Sequence, residues 1–497
     1  MDSTADFQSR TEQLRHKPIP KLLWQYALPA VAGTIVNALY NIIDSVFIGR
    51  GVDENAIAGV GITFPITMFL QGFGMMVGAG AAVRISILLG QRNYRGADRV
   101  LGNAVYLSAI LSVLSIVPCI IFMRPLLELF GASGPVMEYA VQYLSVLLPL
   151  NFLSSVGFGY NNMMRASGYP KKAMITMFIA APLNALFDYI FIFIFDWGIA
   201  GAAWATNLAM FISLVFVMVH FFQKKSLVHF RRDCMKVSWS TMTSVMAIGM
   251  APFFVQIVGS VVSILMNRNF VSFAPTEQLG HAAIASYTIV NSYATLIIMF
   301  VIGVSHGMQP IVGYNFGAMQ MKRVRECFNL VIVVNTAATV LGSAVALLWP
   351  QSILRIYGIS EETMQVGVKA FRWIFLGFSI VGFQVTVTQF FQSLGYSLKS
   401  LFLSLTRQII FLIPCLYIFP HLYGFSGVWM ATPTADIASF ITALGMITYQ
   451  FTRVFPKKFR ELAKGNDAPT ASEAEPLTLS PVQASPAAEP NPPAETD

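Results

Sequence analysis

Asp188 lies in the stretch NALFDYIFIFIFDWG, Asn184–Gly198, among nine Phe, Ile, Leu and Tyr residues. A carboxyl group at the centre of a long apolar helix costs roughly 2.5–3.5 kcal/mol to insert into a bilayer, so it is kept where it meets a partner or a water-filled cavity. Asn184 precedes it by four residues and shares its helical face. Earlier in the chain Asn37, Tyr40, Asn41 and Asp44 follow one another at steps of three, one and three and line a second polar stripe. Carboxyl and amide oxygens converging from two such stripes have two chemical uses. Together they can cage a hard cation such as sodium, or as desolvated acids they can take up protons. The residues do not choose between these, and each Asp can also serve as hydrogen-bonded glue between helices.

The elements that must position these groups are membrane helices. Of 497 residues, 55% are hydrophobic and 11% charged, with a mean hydropathy of +0.63, values foreign to soluble domains. Twelve apolar spans of sufficient length are predicted, at roughly 22–48, 57–81, 101–123, 136–158, 172–195, 199–222, 244–270, 280–304, 326–349, 364–391, 400–420 and 427–451. The first apolar run is too long for the core of a cleaved signal, so the N-terminal segment is expected to be retained. Most Lys and Arg residues lie in the terminal segments and the even-numbered loops, as in Arg92, Arg95 and Arg99 or Lys322, Arg323 and Arg325. By the positive-inside rule both termini are cytoplasmic. The net charge of +8 reflects that asymmetry, which argues against nucleic acid as a partner. Cys119, Cys234, Cys327 and Cys415 are scattered, with no pairing that suggests a disulfide or zinc. Phosphate-loop and HExxH patterns are missing, so neither an ATPase nor an enzyme is expected. No filter-like loop points to a channel.

The chain is also written twice. LLGQ at Leu88–Gln91 answers NFGA at Asn315–Ala318, FGAS at Phe130–Ser133 answers YGIS at Tyr357–Ser360, and SGYPKK at Ser167–Lys172 answers LGYSLK at Leu394–Lys399, all at an offset of 227; GIAGAAWAT at Gly198–Thr206 answers GFSGVWMAT at Gly424–Thr432 at 226. Six spans per repeat is an even number, so the repeats run parallel, related by a pseudo-two-fold axis along the membrane normal. The predicted fold is an all-α integral membrane protein of twelve helices in two six-helix lobes. Its parts are a cytoplasmic N-terminal segment (1–21), an N-terminal lobe (22–222), an interlobe linker (223–243), a C-terminal lobe (244–452) and a disordered cytoplasmic tail (453–497). Duplicated bundles facing each other suit alternating access to a central cavity, although duplication can also build a mere scaffold.

Several stretches together resemble the multidrug and toxic compound extrusion (MATE) family: LPAVAGTIVNALYNIIDSVFIG (Leu28–Gly49), GAGAAVRISILLGQ (Gly78–Gln91), MMRASGYPKKAM (Met163–Met174) and NALFDYIF followed by GIAGAAWAT. The likeness covers roughly residues 20–455. It implies export of bulky lipophilic cations against an inward flow of protons or sodium, with no cofactor, in the cytoplasmic (inner) membrane. It implies an N-terminal-lobe cation site at Asp44, Asn184, Asp188 and Thr206, a first helix bent at Pro29, and cavity roles for Tyr40 and Asn161. Where other branches place acids in the C-terminal lobe, this chain has Gln256, Gln384, Gln389 and Gln392, which puts coupling through that lobe in doubt.

Asp436 in TPTADIASF is a third intramembrane acid with an apolar repeat partner, Met210, and its role, structural or functional, is open. His306 in GVSHGMQP is expected to pack rather than to relay protons. Among 24 Met and 40 Phe residues, most face lipid or other helices, and the remainder would suit a polyspecific cavity. The leading expectation is a monomeric secondary antiporter for lipophilic, often cationic drugs, in contact with membrane lipids. A flippase or exporter of lipid-linked or other amphiphilic metabolites, and a non-transporting receptor or scaffold, are the alternatives.

Overall fold

The structure, a computed structural model, describes residues 12–52, 54–223, 226–357, 359 and 361–455, without the side chains at 37–42, 45, 46, 49, 50, 54, 55, 57, 277 and 362. The described chain is helical throughout. The N-terminal half is built from α1 (Ile19–Gly51), α2 (Glu54–Gly90), α3 (Tyr94–Ile121), the short α4 (Met123–Leu129), α5 (Gly134–Ala166), α6 (Pro170–Asp188) and α7 (Gly198–Phe222). The C-terminal half repeats the order with α8 (Trp239–Phe273), α9 (Glu277–Gly317), α10 (Met321–Leu348), the short α11 (Pro350–Arg355), α12 (Glu361–Phe378), α13 (Val381–Ser393), α14 (Ser397–Leu405), α15 (Ile413–Tyr423) and α16 (Phe425–Tyr449). Among the described residues ten helices are long and apolar enough to cross a membrane. The bent pair α12–α13 makes an eleventh, and the predicted span at 22–48 falls on the 33-residue α1.

The repeat reaches down to single dihedral angles. The turn after the second helix of each half puts a side-chain-bearing residue in the left-handed region, Arg92 (φ 59°) and Met319 (φ 58°). Glycines do the same before the fifth helix, Gly168 and Gly395, and before the sixth, Gly198 and Gly424. Two of these pairs stand at an offset of 227 and the last at 226.

Two expectations need correction. The predicted span at 364–391 is two helices, α12 and α13, meeting at 45°. Gly377, just before the break, lies against the backbone of Pro433, so the sixth helix of the repeat wedges into the bend. The predicted span at 280–304 covers only the first part of the 41-residue α9. Its last turns carry Gly303, Gly307, Gly313 and Gly317; Gly303 and Gly307 admit the backbone of Val31 and Ala27 of α1, Gly317 that of Ile87 of α2, and Gly313 the side chain of Ser86. α8 starts at Trp239 behind a Ser238 N-cap.

Packing divides the molecule by height. One large core draws from both halves, including Leu22, Tyr26, Met76, Leu101, Tyr160, Met308, Phe328 and Phe390. It lies at the end where the turns after α2, α5, α9 and α13 carry the Lys and Arg clusters, here termed the basic end. At the opposite end the cores are separate, one around Leu70, Leu127, Leu144 and Ile192 in the N-terminal half and one around Phe270, Phe371, Phe375 and Trp429 in the C-terminal half. The lobes are thus sealed together at the basic end and packed independently away from it. The N-terminal approach to α1 is fastened to the other lobe: Arg323 donates to the carbonyls of Lys17 (2.7 Å) and Leu14 (3.2 Å), and from its Nε to Asn315 Oδ1 (3.0 Å).

Candidate functional site

α6 runs from the basic end and gives way after Asp188 to a π-helical segment, Tyr189–Ile194. Such widened turns leave the regular hydrogen-bond ladder and are frequent at functional positions. Asn184 and Asp188 are fully buried at 0% exposure, on the side of α6 that faces α1 and α7. Asp44 comes from the outer half of α1 at 8% exposure, and its carboxyl group lies beside that of Asp188. With its amide nitrogen turned to the carboxyl, Asn184 donates to Asp188 Oδ2 at 2.9 Å, and its oxygen accepts from the Thr206 amide at 3.3 Å. In the opposite orientation Nδ2 donates to Thr206 Oγ1 at 3.4 Å. Four predicted residues from three helices therefore meet at one buried point. The Oδ1 atoms of both Asp44 and Asp188 are buried there without a hydrogen-bond partner.

This arrangement has defined chemistry. Two carboxyl groups can share a hydrogen bond only with a proton between them. If that proton leaves, the two like charges repel; two unit charges in contact at an effective dielectric constant near 20 repel by about 4 kcal/mol. The two unpartnered oxygens, the Asn184 oxygen and the Thr206 hydroxyl form an all-oxygen donor set, the type that suits a hard monovalent cation. Among the described residues no group of three or more His, Cys, Asp or Glu side chains is placed to hold a metal.

The remaining candidates fall elsewhere. Pro29 is inside α1, below the polar stripe; the side chains of Asn37, Tyr40 and Asn41 lie outside the described residues. Asn161 is buried on α5, where its Nδ2 donates to the Ala173 carbonyl at 2.8 Å and to Thr176 Oγ1. That contact is two turns nearer the basic end of α6 than Asn184. Gln256 of α8 donates to Met68 Sδ of α2 at 3.1 Å, a contact between the lobes. His306 of α9 lies near Gln309 and near Arg165 of α5, while Gln309 Nε2 reaches the Ala79 carbonyl at 3.4 Å. Asp436 is 2% exposed and paired with Arg407, whose Nε donates to Oδ1 at 2.7 Å.

Sequence reasoning treated Asp436 as solitary. The signal that could have found its partner was a single Arg inside the neighbouring predicted span, 400–420. A second buried acid also went unpredicted. Asp98 of α3 accepts from the His229 amide (2.9 Å) and pairs with Arg231 Nε (2.9 Å), and Asn103 Oδ1 accepts from the Ser238 amide at 2.7 Å. These bonds fasten the linker to the N-terminal lobe. They enclose Cys234, whose thiol is pushed up from its ordinary range by burial and then by the charges of Asp233 and Asp98.

Comparison with known proteins agrees with this geometry. The MatE family model matches residues 29–190 and 257–418, more than half of the chain, once in each repeat. Multidrug export protein MepA of Staphylococcus haemolyticus is 24% identical over 426 residues, covering 85% of this chain and 92% of its own. MepA of Staphylococcus aureus is 24% identical over 447 residues, covering 88% and 96%. A crystal structure described as MATE in the bent conformation superposes with a TM-score of 0.83 at 22% identity, covering 92% of this chain and 99% of that one. With both repeats matched and the same two-lobed helical fold, this chain belongs to the MatE family, the multidrug and toxic compound extrusion transporters of the membrane.

Proposed function

We propose that the protein is a secondary antiporter that exports lipophilic, often cationic compounds across the cytoplasmic membrane in exchange for protons or sodium ions, with both termini cytoplasmic. The observation that carries this reading is the Asp44–Asp188 carboxyl pair, buried between α1, α6 and α7 with an unpartnered oxygen on each acid. The names of the curated relatives, multidrug export proteins, supply the substrate class. With the basic end cytoplasmic, lobes sealed there and separately packed above correspond to a conformation facing outward.

In that conformation the external ion reaches the carboxyl pair. A bound proton or sodium ion removes the repulsion between Asp44 and Asp188 and draws the outer half of α1 onto α6. The inner half does not follow freely, because Gly303 and Gly307 of α9 pack against Val31 and Ala27, and Arg323 holds the carbonyls before the helix. The ladder of that held segment is weakest at Pro29, which lacks an N–H, so strain concentrates there. Bending there reshapes the cavity and expels a bound cation as the ion takes the negative charge for itself. The residues accommodate proton or sodium alike, and the tests therefore impose each gradient separately.

The test is counter-transport in proteoliposomes loaded with the lipophilic cation tetraphenylphosphonium. Efflux that accelerates under an inward proton gradient or an inward sodium gradient supports the reading. Efflux unaffected by either gradient contradicts it.

A further inference from the structure

The C-terminal lobe carries its own buried ionic group, and the repeat shows where it stands. Arg407 is the second residue of the π-helical segment Thr406–Leu412 between α14 and α15, the fifth helix of its repeat, and Asp436 is on α16, the sixth. In the N-terminal lobe the corresponding pair, α6 and α7, carries Asn184, Asp188 and Thr206. At the repeat offsets Arg407 corresponds to Ala180, four residues before Asn184, and Asp436 to Met210, four residues after Thr206. Because the two helices run in opposite directions, both displacements point to the basic end. They amount to about 6 Å at 1.5 Å per residue. The N-terminal cation residues in turn correspond to Phe411 and Cys415, and only the threonine recurs, as Thr432. Each lobe therefore buries one ionic group between the same two helices, one turn apart in height.

The contents differ in one respect. In the N-terminal lobe the acids face each other with no basic side chain between them. In the C-terminal lobe the acid faces a guanidinium, Arg407 Nε to Asp436 Oδ1 at 2.7 Å, with the Arg side chain 26% exposed and the Asp side chain 1% exposed. Asp436 Oδ2 is buried without a partner, so the carboxyl group is held from one side only. A guanidinium is always charged and is tied to the chain, so it neutralises the acid without exchanging with the bulk.

We infer that the Arg407–Asp436 pair is a second cation site, filled permanently by a tethered cation, and that Arg407 is the residue that confines ion exchange to the N-terminal lobe. The ligand that Asp436 would take in its absence is a proton or a small monovalent cation such as sodium. The inference rests on the reading of the N-terminal pair as an exchangeable cation site. It explains why one lobe alone presents unneutralised acids although both are built on the same plan, and it gives Asp436 a role that packing alone does not require.

The test compares purified wild type, Arg407→Gln and the double variant Arg407→Gln/Asp436→Asn. Unfolding temperature is recorded against sodium chloride, with choline chloride holding ionic strength constant, and against pH; bound sodium and proton uptake are counted in parallel. The expected result is that Arg407→Gln binds one more cation per molecule than wild type and gains a stabilisation by sodium or acid, both absent in the double variant. Arg407→Gln that follows the wild-type salt and pH dependence overturns the inference. So does Arg407→Gln that folds under no salt or pH condition while the double variant folds, because a carboxyl able to recruit a cation would be rescued by one. Failure of both variants to fold would assign the pair to packing and overturn it as well. A wild type with no cation dependence contradicts the N-terminal reading instead, and is distinguished by the behaviour of Arg407→Gln relative to it.

Discussion

The seal at the basic end depends on glycines that admit a facing backbone, and Gly249→Ala measures how much. A methyl group at Gly249 of α8 would stand 2.8 Å from Met76 Cα and 2.5 Å from its carbonyl carbon, and closer still to the oxygen. Reciprocally, Gly80 of α2 lies against the Val245 carbonyl, so the two helices cross on a pair of bare glycines. Every obstructing atom at Gly249 is backbone and cannot rotate away. Carbon atoms in contact prefer about 3.5–4.0 Å, so α2 and α8 must part by about 1 Å. Overpacking of this kind costs about 1–3 kcal/mol, charged only to the conformation in which the lobes are sealed at the basic end. A differential of that size moves the ratio of conformations by roughly 5- to 150-fold. The assay is a distance distribution between spin labels at Glu128 on α4 and Gln351 on α11, the short helices at the separated end, with the native cysteines replaced. The expected outcome is a new population at shorter distance in Gly249→Ala. A folded variant with the wild-type distribution would refute the claim that this crossing holds the lobes together.

Other outcomes follow from single contacts. Asn335 of α10 donates from Nδ2 to Thr386 Oγ1 (2.9 Å) and Ser305 Oγ (3.1 Å), so Asn335→Ala should cost about 1–3 kcal/mol; an unchanged unfolding midpoint in detergent would show that this link between α9, α10 and α13 is idle. Because burial, Asp233 and Asp98 raise the Cys234 thiol, less of it is thiolate at any pH below the folded value, and maleimide should modify it slowly at pH 8. Asp98→Ala, which frees the linker and removes one charge, should speed that reaction several-fold, and equal rates would mean the linker is not held by α3. A reporter inserted in the loop between α8 and α9 at 274–276 is expected outside the cell and one fused after Lys464 inside; the reverse pattern would invert the assigned topology.

The parts of this molecule that were legible from sequence are those in which chemistry and periodicity coincide. Asp44, Asn184 and Asp188 stood out because polar groups are costly in apolar helices, Thr206 was named only by the family resemblance, and the duplicated turns carried their register in glycines and in the left-handed pair Arg92 and Met319. The extent of α9 was hidden, because hydropathy marks the lipid-facing middle of a helix and is blind to glycine-lined turns that pack on another lobe. The break between α12 and α13 was hidden too, since the residues at the bend are not proline and the wedge comes from Pro433, far along the chain. Arg407 and Asp436 are 29 residues apart, on helices whose facing sides only the fold determines. The Asp98 clamp is likewise a pairing over 131 residues with a loop that shows no pattern of its own.

The central claim is that the buried carboxyl pair between α1 and α6 is where ion flow drives export, and Asp188→Asn tests it most directly. Asn preserves the volume and can still bond Asn184 and Asp44, but it cannot gain or lose the charge that couples ion to substrate. The measurement is tetraphenylphosphonium efflux from proteoliposomes under an imposed inward proton or sodium gradient, compared at equal amounts of reconstituted protein. The expected result is that the gradient accelerates efflux in wild type and leaves Asp188→Asn at the rate seen without a gradient. Gradient-driven efflux at the wild-type rate in Asp188→Asn would contradict the account.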